Sequence, residues 1–278
     1  MITSRANPTI KQIRRLRERK ERQQSGLFFV EGLRIVGEAI AAGWKVECLV
    51  FSPQMVNSIF GMQLAQDFQR SRGEVLEVSA EVFNSLSMKE GPQGIGAVVH
   101  QNWSPLDEIF PTKDKLWIAL DSVADPGNLG TILRTNDAAG GGGVILLDQS
   151  TDPYDPAAIR ASMGAIFRQQ VVKTRLSDFA RWKKTRFIGV VGTSDKAQND
   201  FHYIHYPNPM VLLMGSERQG LQEHHLALCD VVAGIPMIGN SDSLNLAVAA
   251  ALFIYEIFNQ RRDDRRDYLQ SNREEAKQ

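Results

Sequence analysis

The sequence predicts an α/β protein of two domains, the second built on a parallel sheet with helices on both faces. The chain has 278 residues, 43% of them hydrophobic, and a chain of this length more commonly folds as two domains than as one. A segment with two prolines and several charges, residues 101–114, separates two regions of different pattern and is expected to be a linker. From Lys115 onward, apolar runs alternate with helical patterns, which is typical of parallel strands joined by helices.

The first domain is predicted over residues 1–100 as a small α/β unit. Its basic N-terminal segment is expected to be one helix, and apolar periodicity predicts the elements that follow. In chain order these are a strand at 28–30, a helix at 33–42, a strand at 46–51, a helix at 58–71, and strands at 75–78 and 94–99.

The second domain is predicted over residues 115–260, and a charged tail over 261–278 is expected to be a frayed helix or disordered. Ligands of parallel sheets bind at the carboxyl ends of the strands, so the loops that follow strands are the first candidates for a site. The predicted strands are 116–120, 144–147, 170–172, 187–191, 210–214 and 231–235, and the predicted helices are 128–139, 156–163, 176–184, a short one after Gln219, and 243–259.

Composition argues against several classes of protein. Cys48 and Cys229 are far apart in sequence, so neither a disulfide framework nor a zinc ribbon is expected. His202 and His205 have no cysteine or carboxylate cluster beside them, so we expect no metal site. No apolar run approaches the roughly 20 residues needed to cross a membrane, and the basic N-terminus lacks the apolar core of a secretory signal. A cytoplasmic protein without membrane contact is therefore expected.

Charge is balanced overall, with 32 basic and 32 acidic residues, but it is distributed unevenly. Basic side chains dominate the segment 5–22, where only Glu18 and Glu21 are acidic. Such a segment can neutralise RNA phosphates, and it also fits a solvated helix face. The basic residues are Arg5, Lys11, Arg14, Arg15, Arg17, Arg19, Lys20 and Arg22.

The first loop of interest, residues 121–127, follows the first strand of the second domain and leads into a helix that contains Asn128 and Arg134. These two residues lie six positions apart, about one and two-thirds turns, so they need not share one face of the helix. Taken alone, the segment is explained by Asn128 as a helix cap and Arg134 as a surface residue.

The second loop, Gly215 to Gly220, follows an apolar strand and carries Glu217. Glycine lets backbone amides approach a ligand closely, and a carboxylate at a strand end can orient a cation. In a purely structural loop, Glu217 would instead help to begin a helix.

The third loop, residues 235–245, runs into the last long helix, which is predicted to begin at Ser243. Ser243 and Asn245 flank that start, where free backbone amides and side-chain oxygens converge. A helix-capping serine followed by a first-turn asparagine is the structural alternative.

Together the three loops closely resemble the SpoU/TrmH family of RNA ribose 2′-O-methyltransferases, within the SPOUT superfamily. The resemblance implies a trefoil knot in the second domain and a homodimer whose active sites are completed at the subunit interface. The first domain resembles the substrate-binding domain of the family, which implies an L30e-like fold. The matching motifs are Asp125-Pro-Gly-Asn-Leu-Gly with Arg134, Gly215-Ser-Glu217, Ile235-Pro-Met, Ser243-Leu-Asn245, and in the first domain Ser4-Arg-Ala-Asn-Pro-Thr-Ile-Lys11 and Phe28-Phe-Val-Glu-Gly32.

What the resemblance implies is methylation of a ribose 2′-hydroxyl in RNA with S-adenosylmethionine as cofactor, with large-subunit ribosomal RNA as the expected substrate. A transfer RNA methyltransferase and a non-catalytic RNA-binding protein of the same fold are the alternatives. A nucleotide-binding enzyme unrelated to RNA is disfavoured, because the sequence lacks a phosphate-binding fingerprint. The residues implied at the reacting centre are Arg134, Asn128, Glu217, Ser243 and Asn245, and those implied to contact the cofactor, mainly through backbone, are Thr193, Leu213, Gly215, Ile235, Met237 and Leu244.

Arg134 is implied to act on the 2′-hydroxyl, either as a base or as a clamp on the adjacent phosphate. Because a guanidinium stays protonated, the clamp is favoured. Asn128 would position Arg134 or the ribose, and Glu217 would orient Asn128, Arg134 or the RNA backbone. Two positions depart from the family pattern: Arg218 stands where glycine is common, and Ala247 where serine is common.

Overall fold

The structure is a computed structural model that describes the backbone of residues 1–275 and the side chains of residues 1–262. Its contacts divide the chain into two compact units. Unit 1 comprises Met1–Asn102 and Asp152–Arg168, and unit 2 comprises Trp103–Thr151 and Gln169–Gln278. The segment 152–168, which the sequence analysis placed within the second domain, thus packs with the first hundred residues.

Helices and strands alternate along most of the chain, as the sequence predicts. None of the described helices is long and apolar enough to cross a membrane. In chain order the elements are α1 (Pro8–Arg15), α2 (Arg19–Ser25), β1 (Leu27–Glu31), α3 (Leu33–Ala41), β2 (Val46–Phe51), α4 (Ile59–Arg70), β3 (Val75–Glu77), α5 (Ala80–Leu86), β4 (Ile95–His100), β5 (Trp117–Asp121), α6 (Pro126–Ala138), β6 (Gly143–Leu147), α7 (Pro156–Ser162), β7 (Gln170–Thr174), α8 (Leu176–Arg186), β8 (Gly189–Thr193), β9 (Asn199–Asp200), β10 (Met210–Met214), α9 (Glu223–Leu226), β11 (Val231–Gly234) and α10 (Leu246–Glu275).

Unit 1 is built on a four-stranded sheet in the order β1-β4-β2-β3. Strand β4 pairs antiparallel with β1 and β2, while β2 and β3 are parallel. Helix α1 packs Ile10 and Ile13 into a core with Phe83 of α5. The four predicted strands are confirmed to within one or two residues. Helix α5, which the sequence analysis did not predict, begins at the capping side chain of Ser79.

The prediction of one basic N-terminal helix was wrong, because the chain forms two helices separated by residues 16–18. Arg22 supplies the physical reason. Its Nη1 donates to the carbonyl oxygens of Leu16 (3.0 Å) and Arg17 (2.7 Å). These are carbonyls that an unbroken helix would use for its own hydrogen bonds.

Arg22 is also the centre of a buried ion-pair cluster. Only 1% of Arg22 is exposed. Its Nε donates to Oδ2 of Asp152 at 2.8 Å, and its Nη2 donates to Oδ2 of Asp155 at 3.0 Å. Asp155 also caps α7 by accepting from the backbone N–H of Ala157. A buried guanidinium with its hydrogen bonds filled avoids the cost of an unpaired charge, so this cluster fixes α2 to the start of α7.

Two further residues of the basic segment are engaged in the fold. Arg14 donates to the carbonyl oxygen and the hydroxyl of Ser85, and Arg17 donates to the carbonyl oxygens of Ser85 and Ser87. These carbonyls lie at the C-terminal end of α5, where positive charge is favoured by the helix dipole. Arg14, Arg17 and Arg22 therefore stabilise unit 1, a role that the sequence analysis had not considered for them.

Unit 2 is built on a seven-stranded sheet in the order β7-β6-β5-β10-β8-β11-β9, and every neighbouring pair is parallel. The predicted parallel sheet is therefore confirmed. All five residues of β5, β6 and β10 are buried, as expected for strands covered on both faces. The two-residue strand β9 is polar and gave no apolar signal.

The late strand β10 lies between β5 and β8, at the centre of the sheet. A strand formed late in the chain is thus inserted between two strands formed earlier. This strand order agrees with the trefoil knot that the resemblance implies. Helix α10 packs against α6. Its backbone continues to Glu275, beyond the predicted end at residue 259. The tail over 261–278 was predicted to be a frayed helix or disordered. The side chains after Arg262 and the whole of residues 276–278 lie outside the described residues.

Candidate active site

The loop after β5 is shaped by the cap of α6. The side chain of Asp125 accepts from the backbone N–H of Gly127 at 2.7 Å, and Pro126 occupies the first helical position. Asp125 is thus the cap, and the interpretation of Asn128 as the cap was wrong. Asn128 lies in the first turn with 8% of its surface exposed. Because the cap is supplied by Asp125, the amide of Asn128 is available for contacts with other loops.

The loop after β10 requires glycine at its first position. A Cβ on Gly215 would lie 2.1 Å from the carbonyl carbon of Gly220, closer than any real contact. The loop folds back on itself, with the N–H of Gly220 donating to the carbonyl oxygen of Ser216 at 3.0 Å. This tight turn holds Glu217 at a defined place beside the first loop.

The carboxylate of Glu217 joins the second loop to the first. It accepts from the backbone N–H groups of Ala124 (3.1 Å) and Asp125 (3.3 Å), and from Nδ2 of Asn128 (3.1 Å). Partial burial acts to raise the pKa of Glu217, but these hydrogen bonds outweigh it and hold the pKa below its usual value. Glu217 is therefore ionised at neutral pH, and the connection weakens only as the pH falls through that lowered pKa.

The third loop is joined to the other two through Asn245. Its Nδ2 donates to Oδ1 of Asn128 at 3.0 Å, and its Oδ1 accepts from the backbone N–H groups of Ala247 (2.9 Å) and Val248 (3.3 Å). Asn245 is therefore the cap of α10, which begins at Leu246. The prediction that the helix starts at Ser243 was wrong, because the amide that accepts from the first helical N–H groups is two residues later.

Glu217, Asn128 and Asn245 form one hydrogen-bonded series, which we call the polar chain. Its direction is fixed, since a carboxylate only accepts, so Asn128 must turn its Nδ2 to Glu217 and its Oδ1 to Asn245. Asn245 then presents its Nδ2 to Asn128 and its Oδ1 to α10. The negative charge of Glu217 on the second loop thus determines the orientation of two side-chain amides, Asn128 after the first loop and Asn245 on the third.

Arg134 and Ser243 lie outside the polar chain. Arg134 is exposed on α6, and it makes no hydrogen bond or ion pair with any residue that the structure describes. Ser243 is exposed in the third loop. The structure thus brings together three of the five residues predicted at the reacting centre, and it leaves the guanidinium of Arg134 free of partners within the described part of the chain.

A cleft of about 880 Å³ opens among the loops of unit 2. The predicted residues that line it are Thr193, Gly215, Glu217, Ile235, Met237, Ser243 and Leu244. Leu213, also predicted to contact the cofactor, has a fully buried side chain in β10. It lies immediately before Met214, which lines the cleft.

Several lining residues were missed by the sequence analysis. Residues 194–197, which follow β8, contribute Asp195 and Lys196 to the wall, and α10 contributes Phe253. The rule that ligands sit at the carboxyl ends of parallel strands, applied to β8 as it was to β10, would have found residues 194–197. Phe253 could not be predicted in this way. In the sequence of a long helix, an apolar residue that lines a ligand site looks the same as one that packs in the core.

The two departures from the family pattern differ in exposure. Arg218 is exposed and lines the cleft next to Glu217. Ala247 is buried, and its backbone N–H donates to Asn245. Among the described residues, no group of three or more His, Cys, Asp or Glu side chains is placed to hold a metal ion.

Comparison with family models gives two matches. The SpoU rRNA Methylase family matches residues 115–255, and the MRM3-like substrate binding domain matches residues 7–97. Apart from residues 4–6, the motifs singled out in the sequence lie within these two regions.

Individual proteins are similar over most of their length. The 23S rRNA (uridine(2479)-2'-O)-methyltransferase of Streptomyces viridochromogenes is 33% identical over 253 residues, which are 88% of this chain and 87% of that protein. The 23S rRNA (guanosine(2553)-2'-O)-methyltransferase RlmP of Bacillus subtilis (strain 168) is 30% identical over 262 residues, 92% of this chain and 98% of that protein.

Solved structures agree with these matches. The AdoMet-bound rRNA methyltransferase from Sinorhizobium meliloti superposes with a TM-score of 0.86 at 38% identity, covering 93% of this chain and 97% of that one. The SpoU methyltransferase AviRb from Streptomyces viridochromogenes superposes with a TM-score of 0.83 at 31% identity, covering 93% of this chain and 99% of that one. The resemblance drawn from the three loops is thereby confirmed: the chain belongs to the SpoU rRNA methylase family.

Proposed function

We propose that this protein transfers a methyl group from S-adenosylmethionine to a ribose 2′-hydroxyl of large-subunit ribosomal RNA. The observation that carries the proposal is the polar chain, in which Glu217, Asn128 and Asn245 join three loops beside the cleft. The substrate class is supported by the two relatives named as 23S rRNA 2′-O-methyltransferases, each similar over most of its length. A ribosomal RNA substrate also supports action in the cytoplasm.

The cleft suits S-adenosylmethionine in size and chemistry. Its volume lies within the range of about 300–1,000 Å³ typical of small-molecule sites. Apolar side chains such as Ile235 and Met237 offer contacts for the adenosyl group, while Asp195 and Asp242 bring negative charge to a ligand with sulfonium and ammonium groups. Thr193, Gly215 and Leu244, with the backbone of Leu213, complete the proposed binding residues. The cofactor supplies an electrophilic methyl group when bound.

The residues of this chain orient the ribose so that its 2′-oxygen takes the methyl group and its proton leaves to water. The exposed guanidinium of Arg134 is the proposed clamp on the phosphate next to the reacting 2′-hydroxyl, since its planar fork suits a phosphate. Asn128, fixed by Glu217 and Asn245, positions the ribose. Ser243, exposed at the rim of the cleft, completes the reacting centre.

A homodimer is proposed from the exposed face of α10. Val248, Leu252 and Tyr255 are 50%, 40% and 44% exposed. Their spacing of four and three residues places them on one side of the helix, and an apolar helix face is usually covered by a partner. A second copy of the chain is the proposed occupant. It would bring further groups to an active site in which the guanidinium of Arg134 has no partner among the described residues.

Replacing Asn128 with aspartate is expected to lower methyl transfer by about 10-fold or more at neutral and alkaline pH. The new carboxylate would face Glu217, and two like charges in contact disfavour each other. As the pH falls, the two facing carboxylates take up one proton, and the resulting O–H replaces the N–H that Asn128 donates to Glu217. Asn128→Asp should therefore recover part of its activity at low pH. The measurement is the pH profile of kcat, with Asn128→Ala as the control that gains no proton. A flat ratio of Asn128→Asp to Asn128→Ala across pH would contradict the assigned orientation.

The proposed function is tested by transfer of labelled methyl to RNA. Total RNA from cells that lack this protein is incubated with the purified chain and labelled S-adenosylmethionine, then fractionated by size and hydrolysed with alkali. Because a 2′-O-methyl group blocks cleavage at its own nucleotide, we expect label in an alkali-resistant dinucleotide from the large ribosomal RNA. Label confined to transfer RNA would overturn the substrate class. Absence of label from every fraction would overturn the enzymatic function.

A further inference from the structure

A buried histidine and aspartate lie just behind the loops of the candidate active site. Asp121 is the last residue of β5 and is 6% exposed, and His225 in α9 is 4% exposed. The Nε2 of His225 lies 3.4 Å from Oδ2 of Asp121. The other ring nitrogen, Nδ1, accepts from the backbone N–H of Gln222 at 3.1 Å. Because Nδ1 accepts, the proton of the neutral ring resides on Nε2 and faces the carboxylate.

These contacts lie at the start of the first loop and just after the second, the two loops that Glu217 connects. Asp121 lies at the start of the first loop, and Ala124 and Asp125 farther along it donate to Glu217. His225 follows the second loop, and Gln222, which donates to the ring, lies two residues beyond that loop's end. The second loop and the helix α9 that follows it are therefore attached to the first loop at two points, Glu217 within the loop and His225 in α9. Two attachments fix an orientation that a single attachment would leave free to rotate.

We propose that His225, held between Asp121 and Gln222, is a positioning residue that sets the second loop so that Glu217 meets Asn128. This inference rests on the proposed function, because it assigns His225 to the same reaction. His225 does not line the cleft. It acts through the loop, by fixing where the carboxylate that orients the polar chain is placed.

The attachment requires a neutral ring. A protonated imidazole has two N–H donors and cannot accept from Gln222. Burial lowers the pKa of His225 below its usual value, which keeps the ring neutral; the charge of Asp121 opposes this, as does the charge of Asp148. His224, whose ring centroid lies 3.9 Å from that of His225 with the two rings tilted by 40°, lowers the pKa of His225 further. Acidification should therefore release the second loop and lower kcat.

Two substitutions separate the two contacts of the ring. In His225→Asn, the side-chain oxygen lies near the position of Nδ1, so the contact with Gln222 is retained and that with Asp121 is lost. In His225→Gln, the terminal nitrogen lies near the position of Nε2, so the opposite contact is retained. We expect both variants to lower kcat by about 10-fold while the KM for RNA changes by less than about twofold, because misplaced catalytic groups affect turnover more than binding. His205→Gln, an exposed histidine of the same unit, is the matched control.

The pH profile of kcat distinguishes positioning from a general loss of stability. Asp121→Asn still accepts from Nε2 but removes the negative charge, so the acidic limb of the profile should move to lower pH. His224→Gln removes a positive neighbour, so the acidic limb should move to higher pH. A loss of stability alone would not move the acidic limb to lower pH in Asp121→Asn and to higher pH in His224→Gln. Wild-type kcat in both His225 variants, or an acidic limb unmoved by both Asp121→Asn and His224→Gln, would overturn the inference.

Amide hydrogen exchange tests the attachment without reference to activity. At one fixed pH, peptides covering residues 215–222 should exchange faster in His225→Gln than in the wild type, while peptides from unit 1 exchange equally. If the wild type methylates no RNA, the proposed function fails, and the exchange result alone decides whether His225 holds the loop. Equal exchange of this segment in both proteins would show that it does not.

Discussion

Replacement of Arg134 with alanine is expected to lower kcat for methyl transfer by about 10²–10³-fold, the usual effect of removing one charge-stabilising donor. The affinity for S-adenosylmethionine and the thermal stability should stay unchanged. The reason is that Arg134 is exposed and makes no hydrogen bond or ion pair with the described residues, so its removal deprives the fold of no such contact. Only the substrate needs the guanidinium. Steady-state kinetics with large-subunit RNA and calorimetric titration of the cofactor measure the two effects separately.

Two variants make the Arg134 result interpretable. Arg134→Lys keeps the positive charge but lacks the planar fork, so its kcat should fall between those of the wild type and Arg134→Ala. Arg181→Ala removes an exposed arginine from α8, where Arg181 pairs with Asp178 at 3.5 Å, and should behave as the wild type. Full activity of Arg134→Ala would remove Arg134 from the mechanism. Loss of cofactor binding in that variant would show that the arginine shapes the cleft instead.

Replacement of Arg22 with alanine is expected to destabilise unit 1 by about 3–5 kcal/mol, the usual cost of removing one partner from a buried ion pair. Arg22 is 1% exposed and donates to both Asp152 and Asp155. Without Arg22, the two carboxylates lose their cation. The carbonyl oxygens of Leu16 and Arg17, between α1 and α2, lose their hydrogen-bond donor. Hydrogen exchange of peptides from β1 and α7 measures the change in local stability.

The control for Arg22 is Arg15, which belongs to the same basic segment. Arg15 pairs with Glu21, and 60% of its side chain is exposed, so Arg15→Ala should cost at most about 1 kcal/mol. Unit 2 peptides should exchange at wild-type rates in both variants. If Arg22→Ala and Arg15→Ala have equal effects, the buried cluster contributes no more to stability than an exposed pair.

The sheet of unit 2 was predictable from sequence because its central strands are continuous apolar runs. Strands such as β6 and β10 are bounded by glycine, proline or polar residues and are buried along their whole length. When such a run is preceded and followed by helical segments in the sequence, it indicates a parallel strand that is buried on both faces. The short helix α5 and the strand β9 lacked this signal.

The candidate site was predictable only as far as its motifs extend. Asn128 and Asn245 were both identified, but their hydrogen bond joins positions 117 residues apart, and no local pattern indicates such a contact. The assignment of the helix cap to Asn128 failed for a different reason, because the local signal of Asp125 followed by Pro126 at the first helical position marks Asp125 as the cap. The pairing of Asp121 with His225 was not predicted, because the two residues are far apart in the sequence and no local pattern marks either of them.

The excursion of residues 152–168 into unit 1 bears on how such proteins can be recombined. The two family matches, 7–97 and 115–255, suggest modules that could be exchanged between relatives by cutting at residue 100 or so. Yet Arg22 belongs to the first match, and both of its carboxylate partners belong to the second. A chimera that takes its N-terminal module from one relative and the remainder from another inherits the cation and its counter-charges from different parents. Compatibility between the parents is therefore decided at Asp152 and Asp155, in the middle of the methylase sequence, as much as at the junction.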